Sequence, residues 1–87
     1  MDQSGIEYFF LQNRYRLFTK ENALRVVKKA YESGFEVVGM SPWRRDEDDD
    51  YVEEFGADVN SQQEAVEILQ ALPSKYQYVL MSGGPIM

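Results

Sequence analysis

Apolar and polar positions change their spacing several times along this chain, and each change of period marks a separate element. Ala23, Leu24, Val27, Ala30 and Tyr31 recur at intervals of three and four, which places them on one face of a helix from about Lys20 to Ser33. Thr19 is a suitable N-cap, and Gly34 supplies the left-handed residue at which such a helix stops. Arg25, Lys28, Lys29 and Glu32 fall mostly on the outward side, where the positive charge of the last turn suits the helix dipole and reads as a solvated face. A second helical repeat of Ala65, Val66, Ile68, Leu69 and Leu72 follows Ser61-Gln62-Gln63-Glu64, a capping-box sequence, and stops at Pro73-Ser74.

The remaining segments read as strands. Phe35 to Met40 has the β-branched pair Val37-Val38 and suits a sheet interior, with Ser41-Pro42 ending it. Lys75 to Met81 alternates Tyr76, Tyr78 and Leu80 against Gln77, Val79 and Met81. Ile6 to Phe18 reads as a hairpin turning at Gln12-Asn13, because Asn tolerates the positive φ of a tight turn. That register gathers Tyr8, Phe10, Tyr15 and Leu17 on one face. It sets Phe9 and Leu11 beside Arg16 and Arg14 on the other, where cation–π contacts shield the rings.

The predicted order is ββαβ, an acidic insertion, then αβ: an α/β chain, with α+β as the other possibility, built on a four-stranded mixed sheet and two main helices. Helices between strands imply right-handed parallel crossovers. Without an internal repeat, residues 1–87 read as a single domain, with an insertion loop at 43–60 and a flexible C-terminal tail at 82–87.

Composition adds three constraints. The 87 residues are 44% hydrophobic and 28% charged, the profile of a packed domain rather than a disordered tail. Cysteine is absent, so a disulfide framework is excluded and a cytoplasmic setting is expected. The N-terminus Met1-Asp2-Gln3-Ser4 lacks the basic-then-apolar order of an export signal, and no apolar run approaches the roughly 20 residues of a membrane span.

The chemistry available is narrow. Histidine is also absent, which removes the usual neutral-pH acid/base along with imidazole and thiolate metal ligands. Ser33, Ser41, Ser74 and Ser82 have no base at a recognisable spacing, and Gly83-Gly84 is no phosphate loop. Catalysis and a bound cofactor are therefore not expected. Asp46, Asp48 and Asp50 match positions one, three and five of a calcium loop, yet Tyr51 stands where glycine is required and Ala57 where the closing glutamate belongs. A dedicated metal site is not expected either.

Charge is the distinctive feature. The chain carries nine basic and 15 acidic residues, net −6, and eight of the acids fall between Trp43 and Asn60. That sign opposes direct binding to nucleic acid or an anionic membrane and favours a protein partner with a basic surface. Tyr51, Val52 and Phe55 precede Gly56 at helical spacing, which predicts a turn or two of acidic helix. In the sharper functional reading, Asp46, Glu47, Asp48, Asp49, Asp50, Glu53 and Glu54 imitate a row of phosphates. They steer the chain toward a basic groove on a nucleic-acid-handling protein, where Trp43, Arg44, Tyr51 and Phe55 act as anchors. An inhibitor, including a phage-type counter-defence protein, would have this look. The alternative is a non-catalytic structural subunit or homodimer that uses aromatic and edge-strand surfaces. In that case the acids keep a small protein in solution, and Trp43, Tyr51 and Phe55 only pin the loop.

Overall fold

The computed structural model describes residues 3–85, with the side chains of residues 3 and 4 left aside. These residues form α1 (Gln3–Asn13), β1 (Phe18–Thr19), α2 (Lys20–Glu32), β2 (Phe35–Arg45), β3 (Tyr51–Glu53), β4 (Ala57–Asp58), α3 (Gln62–Ala71) and β5 (Gln77–Pro85). The sheet runs β1-β5-β2-β3, β4 also lies on β2, and every pair is antiparallel. Helix and sheet are combined as an α+β fold.

Two helices form where the local signals place them. The Thr19 hydroxyl accepts from the Asn22 N–H at 3.2 Å, and the Ser61 hydroxyl accepts from the Glu64 N–H at 3.1 Å, so each first turn has one of its orphan donors satisfied. Gly34 sits at φ 72° after the end of α2, a conformation glycine adopts without the Cβ clash of other residues. Leu72 leaves α3 in an extended conformation, ψ 149°, as the residue before a proline must.

The N-terminal segment is a helix, not a hairpin. As a helix it sends Ile6 and Phe10, four residues apart, into the core together, with Phe9 half-buried beside them. Phe10 stacks on Phe35 with ring centroids 6.0 Å apart, Phe9 lies 6.0 Å from Phe18, and Phe9 meets Phe10 edge to face at 5.9 Å. A strand would have put Phe9 and Phe10 on opposite faces. The expected turn residue Asn13 is instead the helix terminus: its side-chain amide donates to the Phe9 carbonyl at 2.9 Å, and its carbonyl accepts from the Arg16 N–H at 3.0 Å.

The mixed four-stranded sheet is also corrected. β1, α2 and β2 do form a crossover between strands of like direction, but β5 is inserted between β1 and β2, so each hydrogen-bonded neighbour is antiparallel. Ser41-Pro42 does not end β2. Pairing with the β3–β4 edge runs Trp43↔Glu53 and then Met40↔Ala57, which sets three residues, 54–56, against two. At that bulge the missing Pro42 N–H costs no ladder bond, while its carbonyl accepts from the Glu54 N–H at 2.9 Å. The expected tail is likewise a strand as far as it is described: β5 continues to Pro85, opposite Phe35, and residues 86 and 87 lie outside the described residues.

The three helices cover one face of the sheet. Phe35, Val37, Met40, Tyr78 and Leu80 project toward them and meet Ile6 and Phe10 of α1, Ala23, Val27 and Ala30 of α2, and Ala65 and Leu69 of α3 in one core. The opposite face carries Val38, Ser41, Trp43, Val79 and Met81, all half-buried or exposed. Among the described residues, no helix is long and apolar enough to cross a membrane.

Candidate functional site: an acidic hairpin arm

The 43–60 segment is not helical and not a free loop but extends the sheet as a hairpin, with strand at 43–45, 51–53 and 57–58 joined by a turn at 46–50 and the bulge at 54–56. Arg45 pairs with Tyr51, Arg44 with Val52 and Trp43 with Glu53, so Tyr51 and Phe55 do not share the helical face their spacing predicts. The two-residue period of a strand places Tyr51 and Glu53 on one side and Val52 on the other. Among the described residues β3 and β4 pair with β2 alone, and the molecule is drawn out to 42 Å along its longest axis against 24 and 19 Å across. The segment is thus an arm whose span 44–54 adds nothing to the buried core, with Ala57 and Val59 returning to it.

The tip is closed by its own first acid. One Asp46 carboxylate oxygen accepts from the Asp48 and Asp50 N–H groups at 2.9 and 3.0 Å, and the Asp46 N–H donates to the Asp50 carbonyl at 2.8 Å. Asp49 takes the left-handed conformation, φ 63°, which Asp tolerates better than most residues. Asp46 is therefore spent on shaping the turn, whereas Glu47, Asp48, Asp49 and Asp50 point into solvent. Glu54 is held by an ion pair with Arg44 beside it. Glu47, Asp48, Asp49, Asp50, Glu53 and Asp58 make no ion pair among the described residues, and no three acids of that set converge as metal ligands would.

The expected anchors divide. Trp43 and Tyr51 lie half-buried on the helix-free face, where the Tyr51 hydroxyl accepts from the Gln77 side-chain amide at 3.2 Å and the Arg45 guanidinium sits 5.4 Å from the Tyr51 ring. Both are therefore fastened to the sheet. Phe55, 46% exposed, and Val52, 37% exposed, are the apolar groups the arm presents outward. Val52, which helical spacing groups with Tyr51 and Phe55, is not among the anchors expected from the sequence, because its outward direction follows from the strand register, which the chain does not announce.

The arm from Trp43 to Asp58 holds two of the nine basic residues and eight of the 15 acidic ones, leaving seven of each elsewhere. The whole net charge of −6 therefore resides on the arm, and the rest of the chain is neutral. In comparisons with known protein families, curated proteins and solved structures, none matches this chain.

Proposed function

We propose that this chain is a protein-binding module whose acidic arm enters a basic groove on a nucleic-acid-handling protein, its free carboxylates standing where phosphates would, and so acts as an inhibitor. The observation that carries this reading is the confinement of the entire net charge to one projecting hairpin. A neutral body with a charged arm has a large charge asymmetry, which orients the molecule during encounter and raises the association rate at low salt. The self-closed tip supports the same reading, because a turn already ordered by Asp46 loses little conformational freedom on docking. Val52 and Phe55 then supply apolar contact beside the charge. The reading needs no catalysis and no cofactor, and it places the encounter in the cytoplasm, where a cysteine-free domain needs no oxidised staples.

The test uses the protein immobilised as bait in cell lysate at low and at high salt, with captured proteins identified by mass spectrometry. Its comparator is the triple variant Asp48→Asn, Asp49→Asn, Asp50→Asn. The expected outcome is salt-labile capture of a basic nucleic-acid-handling protein by the wild type and at least about tenfold weaker capture by the variant. Equal capture by both at low salt would sink the proposal.

A further inference from the structure

The helix α1 has apolar side chains around its whole circumference, since Ile6, Tyr8, Phe9, Phe10 and Leu11 are almost consecutive and helical residues are about 100° apart. The core takes Ile6 and Phe10. Tyr8 and Leu11 are left 62% exposed, and Tyr15, just past the helix, 80% exposed. Beside them runs an open groove of about 420 Å³ between α1 and β5, bordered by Glu7, Leu11, Arg14 and Tyr15 on one side and by Leu80 and Ser82 on the other. The same edge of β5 lacks a neighbour: β1 pairs with it only at Gln77 and Tyr78, so among the described residues no strand covers Val79 to Pro85. From Gln77 to Pro85 β5 carries no charged residue, although charges are the usual device that keeps an open edge from pairing.

We propose that a second copy of this chain covers this surface. The two β5 edges pair antiparallel about a two-fold axis perpendicular to the sheet, which keeps both helical layers on one side and lays the two α1 helices antiparallel along the seam. Charge selects a second copy over an unrelated strand. Glu7 and Leu11 of α1 and Arg14, in the turn just past it, line the same side of this groove, with opposite charges on either side of Leu11. Neither charge makes an ion pair among the described residues, and Arg14 lies over the Tyr15 ring at 5.1 Å. The two-fold reverses that order, setting Glu7 against Arg14 of the partner subunit, and Arg14 against the partner subunit's Glu7, around a Leu11 pair. Such self-complementarity is what an isologous interface demands. The β5 edge also faces away from the acidic arm, which lies beyond β2. Two copies can join here through their neutral parts without bringing the two −6 arms together.

The experiment is light-scattering mass measurement of the full chain across a concentration series, with circular dichroism confirming the fold of each variant. The wild type is expected to reach the dimer mass. Glu7→Arg and Arg14→Glu, each placing like charges across the seam, should weaken dimerisation at least about tenfold. Mixing the two single variants should restore it, because each supplies the charge the other lacks, as should the double variant Glu7→Arg, Arg14→Glu. Amide exchange at Met81 to Gly84 should be protected in the wild type and lost in either single variant. A wild type that stays monomeric, or single variants that dimerise like it, or mixtures that remain monomeric, would each overturn the proposal.

Discussion

Tyr78 is fully buried, and among the described residues its hydroxyl has no hydrogen-bond partner. Desolvation of that hydroxyl is unfavourable and nothing in the core offsets it. Tyr78→Phe should therefore leave stability unchanged or raise it by about 1 kcal/mol, read from urea unfolding; a clear loss would mean that the hydroxyl is bonded after all. Tyr31 is the contrasting case, since its hydroxyl donates to the Val37 carbonyl at 3.0 Å, and Tyr31→Phe should cost about 1 kcal/mol. Burial, foremost, raises both phenols above the ordinary 10.0, with Tyr76 adding to it at Tyr78 and Glu36 and Glu64 at Tyr31. Each keeps its proton more tightly when folded. Their contribution is complete below pH 10.0 and is lost as pH rises through the raised folded values. Unfolding followed across that range should show stability falling on the alkaline side, less steeply in Tyr78→Phe than in the wild type.

At the level of elements, the acidic hairpin is held at two places: the Asp46 carboxylate at its tip and the ladder with β2 at its root. Asp46→Ala removes both side-chain bonds to the Asp48 and Asp50 N–H groups, a local loss of about 1–2 kcal/mol. Amide exchange should quicken at Asp48 and Asp50 and stay unchanged in α2 and α3, because residues 44–54 add nothing to the core those helices share; faster exchange throughout would show the tip coupled to the core. The parts of the fold legible in the sequence are those decided locally. Thr19, Gly34 and Ser61 act within a few residues of their own position, and α2 and α3 follow from them. α1 was misread because Tyr and Phe favour strands in general, and only Phe18 and Phe35, distant in sequence, reveal that Phe9 and Phe10 must reach the core together. The arm was misread for the same kind of reason. The acids were plain, but the strand pairing that aligns them depends on a bulge opposite Pro42 and on residues far apart in the chain.

For the whole molecule, the separation of a neutral body from a charged arm makes the arm removable. Replacing residues 44–54 by an Asn-Gly turn takes away two basic and seven acidic residues, changing the net charge from −6 to −1. The body should keep its helical circular-dichroism spectrum, since its core draws nothing from that span, but its solubility near neutral pH should fall as like-charge repulsion between molecules disappears. Loss of the helical spectrum would show instead that the arm is needed for folding. The chain has one tryptophan, and it stands at the root of the arm with its indole N–H buried. All indole fluorescence therefore comes from that junction, giving an optical channel for the place where arm meets body that the six tyrosines do not share.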